Sequence, residues 1–188
     1  VIHRDLKPCN IMVGTFGEAQ VMDWGLAKRL QSSGPPEPPH KNGDAPVALN
    51  ESNSSGRPVE SLADTVNLRQ EAPATRTLAG QVLGTLPHIS PEQARGEIGK
   101  IDERSDVFSI GAVLCAILTS HPPYRATTRV ELWEQAREGD LSDARERLKA
   151  CGCDLRIAAI ALECLAVDPE QRPSSAAAVA ERISVYLK

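Results

Sequence analysis

Asp5, Lys7 and Asn10 fall within one short run, His3-Arg4-Asp5-Leu6-Lys7-Pro8-Cys9-Asn10, and Asp23-Trp24-Gly25 follows thirteen residues after Asn10. The run puts a carboxylate, an amine two residues on and an amide five residues on into a single tight loop. These are the group types that phosphoryl transfer uses. A carboxylate orients an attacking hydroxyl, a cation sits on the moving phosphoryl group, and hard oxygen ligands hold magnesium. A lone Asp-x-Lys is ordinary surface charge. Asn10 and Asp23 at these spacings turn it into a candidate site.

Such groups must be held by a scaffold. Apolar Ile11, Met12 and Val13, the turn residues Gly14-Thr15-Phe16-Gly17 and the stretch Ala19 to Met22 predict two short strands and a turn. Asn10 then precedes the first strand and Asp23 follows the second. Farther on, Val107, Ile110, Val113, Leu114, Ile117 and Leu118 recur at helical spacing behind Ser105 or Asp106, either of which suits an N-cap. This helix is apolar nearly all round and is expected to be central and buried. Residues 128–138 and 142–150 predict mixed-charge helices, with Asp143 and Arg147 paired on a solvated face. Asp154 opens a helix through Leu165, stopped by Asp168-Pro169, and Ser174 is expected to cap a last one reaching about Leu187. Residues 31–75 differ in kind. They carry seven of the 14 prolines, six serines and no aromatic residue, too little apolar surface to offset ordering entropy, so this segment is expected to be a disordered insertion.

Composition narrows the function classes. The chain has 188 residues, 41% hydrophobic and 24% charged, which is globular. A net charge of −4 gives no basic footprint for nucleic acid. The longest apolar runs, Val107–Leu118 and Ile157–Val167, fall short of the roughly 18 residues a membrane helix needs. The first residue is Val1, so the N-terminus is expected not to be native and no targeting signal is read from it. Five cysteines without a C-x-x-C pair, and histidines far apart, argue against a disulfide framework or a structural zinc site. Cys151-Gly152-Cys153 has the look of a metal or redox pair but is expected to be small reduced thiols near a helix start.

Taken in order, the motifs resemble the protein kinase family. The first run resembles its catalytic loop H-R-D-L-x-x-x-N in the Ser/Thr form, and Asp23-Trp24-Gly25 its metal motif D-F-G. Gly84-Thr85-Leu86-Pro87-His88-Ile89-Ser90-Pro91-Glu92 resembles the segment that closes the activation loop. Residues 102–111 resemble the start of the family's central helix, and Asp168-Pro169-Glu170-Gln171-Arg172-Pro173 its late D-P-x-x-R-P motif. With Pro91-Glu92-Gln93-Ala94-Arg95-Gly96, the style is most similar to bacterial eukaryote-like Ser/Thr kinases. Trp24 stands where Phe is usual, His88 where Tyr is common and Ser90 where Ala is common.

The resemblance implies a mainly α fold: a kinase-like C-terminal lobe, a helical body with a small β-hairpin at the catalytic loop, spanning 1–188 with the 31–75 insertion in its activation segment. It implies that Asp5 is the catalytic base, that Lys7 neutralises phosphate, and that Asn10 and Asp23 hold Mg2+. Met12 would lie under the adenine of ATP, and Thr85 would brace Asp5 and Lys7. Arg4 would receive a phosphate carried by Thr75 or Thr77. Glu92 and Arg172 would form a buried ion pair, and Asp106 would hold the catalytic loop from below. No glycine-rich loop, strand lysine or partner glutamate helix precedes the catalytic loop. The implied N-lobe is therefore expected upstream, and the catalytic domain is incomplete and inactive alone. The implied activity is transfer of the ATP γ-phosphate to Ser/Thr hydroxyls of a protein substrate. The setting would be cytoplasmic, or the cytoplasmic face of a membrane, with no nucleic-acid partner and no membrane segment within the chain. The alternative is a non-catalytic, kinase-like binding module; the intact charge set argues against it and the missing N-lobe for it.

Overall fold

The computed structural model describes residues 1–29 and 86–188. The segment 31–75, with Thr75, Thr77 and Thr85, lies outside the described residues.

The chain enters through the His3–Asn10 run, passes a 3₁₀ turn at Pro8–Asn10, and forms an antiparallel hairpin of β1 (Ile11–Val13) and β2 (Ala19–Val21). Its register pairs Ile11 with Val21, Met12 with Gln20 and Val13 with Ala19. The turn is closed by the Gly14 N–H on the Glu18 carbonyl at 2.8 Å, and Gly17 takes the left-handed conformation the turn requires (φ +85°). A second 3₁₀ turn, Trp24–Leu26, follows Asp23, and a bridge between Ile2 and Lys28 ties this end back to the chain entry.

The helical body follows the sequence pattern with shifts of a residue or so. It comprises α1 (Pro91–Ala94), α2 (Glu103–Thr119), α3 (Arg129–Glu138), α4 (Ser142–Ala150), α5 (Leu155–Cys164) and α6 (Ala176–Tyr186). The cap of α2 is Asp102, whose side chain accepts from the Arg104 N–H at 2.8 Å, rather than Ser105 or Asp106. Both of those side chains bond elsewhere. Ser175, not Ser174, caps α6 by accepting from the Ala178 N–H. Asp154 caps α5 as expected, and Thr128 with Glu131 forms a capping box on α3, which ends at left-handed Gly139.

Helix α2 is the axis of the body. Phe108, Ala112 and Cys115 join Tyr124, Ala136, Leu141, Leu148 and Leu165 in the main core, and Val107 packs with Ile160, Cys164 and Val179 in a second cluster. Its last turn is less enclosed, with Ile117 70% exposed. At Gly111 the axis meets α5 so closely that a Cβ would stand 2.6 Å from the Cys164 Cβ. Arg147 pairs with Asp143 at 2.8 Å but is not confined to a solvated face. Its guanidinium also donates to the Pro122 carbonyl at 2.8 Å and to the Thr119 hydroxyl, tying α4 to the end of α2.

Candidate active site

The loop carrying Asp5 hangs from α2. Asp106, one turn into that helix, accepts the His3 N–H on Oδ2 at 2.6 Å and the Arg4 N–H on Oδ1 at 2.8 Å. From the other side Gln93 Nε2 donates to the Arg4 carbonyl at 3.0 Å. Arg4 itself is left-handed (φ +72°), a conformation that costs a non-glycine residue of order 1 kcal/mol and persists where surrounding bonds dictate it. The His3 ring bonds the Met22 carbonyl through Nε2 at 2.9 Å and meets the Trp24 ring edge-on, so the loop and the end of β2 are fastened together.

Within this frame Asp5, Lys7 and Asn10 converge. Lys7 Nζ donates to Asp5 Oδ2 at 2.8 Å and Oδ1 at 3.1 Å. Asn10 Nδ2 donates to the Asp5 carbonyl at 2.8 Å and to Asp5 Oδ2 at 3.1 Å. Asp5 and Asn10 are both buried. Asn10 spends its amide nitrogen on Asp5, which fixes the amide orientation and turns Oδ1 to its other side. Asp23 is exposed and left-handed (φ +60°) at the end of the hairpin. Among the described residues no cluster of three or more His, Cys, Asp or Glu could hold a metal alone. Magnesium does not ask for one, because it binds through one or two protein oxygens with substrate phosphates and water completing the shell. The Asn10 and Asp23 oxygens fit that donor set.

Other implied residues fare differently. Met12 sits on β1 and is 52% exposed, an apolar surface open to solvent. Trp24 is 54% exposed and donates to the Val21 carbonyl; it rests against His3 rather than anchoring in a core. Arg4 Nε is buried without a hydrogen-bond partner among the described residues. Glu92 and Arg172, 80 residues apart, meet in two parallel bonds of 2.8 and 2.9 Å. Both side chains are essentially sealed from solvent. Arg172 also donates to the carbonyls of Ala166, Val167 and Arg104 and lies over the Phe108 ring. Ser105 donates to Glu92 at 2.7 Å. Burial alone would push the Glu92 carboxyl up; the hydrogen bonds and charge of Arg172, with Ser105 helping, outweigh it and hold the carboxyl below its usual range.

Three contributors carry weaker sequence signals. Gln93 completes a Ser-x-x-Gln pattern with Ser90, which marks a helix start but not a grip on Arg4. Nothing local marks the His3 ring as a link to β2. His88, within electrostatic reach of Asp5 and Lys7, is half-buried, with neither ring nitrogen hydrogen-bonded among the described residues. Burial first, then the nearby Lys7 charge, lower its pKa from 6.5 to about 4, with Asp5 pulling weakly the other way.

Residues 62–182 match the model of the protein tyrosine and serine/threonine kinase family, a span that holds Glu92, Asp106 and Arg172 but not the catalytic loop. The loop is covered by relatives. A serine/threonine-protein kinase PknD of Protochlamydia amoebophila is 29% identical over the whole chain and 16% of its own length. Serine/threonine-protein kinases PknB of Mycobacterium leprae and Mycobacterium tuberculosis are 32% and 33% identical over 94% of the chain. The chain spans about a fifth of the length of those PknB relatives. The family match covers more than half of the chain, in a mainly helical fold with one two-stranded sheet: the chain belongs to the protein kinase family, among the bacterial eukaryote-like Ser/Thr kinases.

Proposed function

We propose that this chain provides the catalytic loop, metal ligands and helical body of a Ser/Thr protein kinase that transfers the γ-phosphoryl group of ATP to a hydroxyl of a protein substrate. The observation that carries the reading is the convergence of Asp5, Lys7 and Asn10 on a loop whose backbone is pinned by Asp106. Positioning is most of what phosphoryl transfer requires of a protein. Asp5 accepts the proton of the incoming hydroxyl, and Lys7, bridging from Asp5, places positive charge where the phosphoryl group moves. Asn10 and Asp23 would hold Mg2+, which when bound supplies charge neutralisation at the phosphates. Met12 offers an exposed apolar face for the adenine, and Thr85, outside the described residues, is assigned to brace Asp5 and Lys7 by the family resemblance alone.

Arg4 is read as the receptor of an activating phosphate. Its backbone is tied on both sides, and its buried Nε is a donor suited to a phosphate oxygen on Thr75 or Thr77. Glu92 with Arg172, and Asp106, are structural residues that hold the platform.

The test uses the intact protein that carries this chain, with magnesium, labelled ATP and a basic carrier protein. Asp5→Asn is expected to lower turnover by at least about 10²-fold, the span of a lost general base, with nucleotide affinity little changed. Turnover unaffected by the substitution would overturn the reading. Mass spectrometry of the active protein is expected to find phosphate on residues 74–77.

A further inference from the structure

The turn between α4 and α5 carries two cysteines that the proposed phosphoryl transfer does not use. Cys151 caps the C-terminus of α4, Cys153 precedes the cap of α5, and between them Gly152 is left-handed (φ +72°) with open space around its Cα. Both thiols are partly exposed and unoxidised. Their sulfurs stand 2.8 Å apart, less than about 1 Å from the ~2.05 Å of a disulfide bond.

We propose that Cys151 and Cys153 are a redox-active dithiol that closes reversibly to an intramolecular disulfide by exchange with a small-molecule disulfide. The remaining cysteines do not offer this chemistry. Cys115 and Cys164 are buried and their thiols pushed up, Cys164 to about 12, by that burial. Cys9 is exposed, but the described contact of its sulfur is to Asn10, not to a second thiol. A metal is not favoured either, since no third ligand joins the pair among the described residues.

The two sulfurs act in sequence. The hydrogen bond between them can run either way, and whichever sulfur is deprotonated is the attacking thiolate. It displaces one thiolate from the small disulfide and becomes a mixed disulfide. The second cysteine then gives its proton to solvent, attacks the first sulfur and expels the second thiolate. Two protein thiols are oxidised, and one small disulfide is reduced to two thiols. Closure also removes the bond from Cys151 Sγ to the Leu148 carbonyl at the end of α4. A ring this short constrains the unfolded chain little, so thiol chemistry and not melting is the informative readout.

The experiment equilibrates the chain with graded ratios of reduced and oxidised glutathione, quenches with acid, alkylates and digests with trypsin. Cleavage after Lys149 and Arg156 leaves both cysteines in one peptide, Ala150–Arg156. Under oxidising ratios that peptide is expected to lose the mass of two hydrogens and to resist alkylation at both sulfurs, with full return on reduction. Cys153→Ser is expected to trap Cys151 as the glutathione adduct, and Cys151→Ser to trap Cys153 in the same way. Separate glutathione adducts on both wild-type cysteines without an internal bond would overturn the proposal. So would full alkylation of both at ratios that already modify Cys9.

Discussion

The guanidinium of Arg172 and the carboxylate of Glu92 are each other's main compensation for leaving water. Every Arg172 nitrogen has a partner: both Glu92 oxygens and three backbone carbonyls. Removing one partner strands the other charge inside the protein, so Arg172→Ala is expected to destabilise by roughly 3–5 kcal/mol, against about 0.5 kcal/mol for an ordinary surface substitution. Arg172→Lys should recover part of this, because an ammonium cannot span both carboxylate oxygens. Denaturant unfolding of the three proteins checks the order. At this scale the sequence was readable where groups lie close along the chain: Asp5, Lys7 and Asn10 share one loop, and their spacing alone implied their convergence. It was mute on Gln93 and the His3 ring, whose contacts join residues 89 and 19 positions apart and have no local pattern.

Elements explain why one helix serves both the core and the site. Asp106 looked like a cap because it stands before a run of apolar residues. The cap fell to Asp102, and Asp106 was left one turn in, where its two oxygens hold two consecutive amides of the catalytic loop. Asp106→Ala should therefore loosen residues 3–5 with little loss of helix. Amide exchange at His3 and Arg4 should rise sharply while that of α2 stays slow. The opposite face of α2 makes a sharper forecast. Alanine outranks glycine in helix propensity by about 1 kcal/mol, yet Gly111→Ala would drive a methyl group against Cys164. Overpacking of that kind costs about 1–3 kcal/mol, so the variant should melt lower than the wild type. The apolar spacing of α2 was legible in the sequence. The closeness of its approach to α5 was not, because a glycine inside a helix pattern carries no sign of what it faces.

At the scale of the molecule, two groups make the fold sensitive to acid in the same direction. The Glu92 carboxyl is held low in the folded state, so its contribution is present above the unfolded carboxyl range and is lost as pH falls through the lowered folded value. His88 is kept neutral, with its pKa down from 6.5 to about 4. Between those values the unfolded chain binds a proton that the folded one refuses, so stability falls as pH drops from 6.5 toward 4, by up to about 3 kcal/mol. His88→Asn should flatten that slope. A wild-type stability constant between pH 7 and pH 4 would contradict the His88 assignment, while the Glu92 contribution is read from the further loss below pH 4. The Glu92–Arg172 pair also has a consequence in time. Glu92 leaves the ribosome 80 residues before Arg172, which at about 5–20 residues per second is roughly 4–16 s. Throughout that interval the nascent chain holds a carboxylate whose counter-charge has not yet been synthesised. The platform under the catalytic loop thus cannot close before Arg172 emerges, and a chain released earlier would expose that defect to cellular quality control.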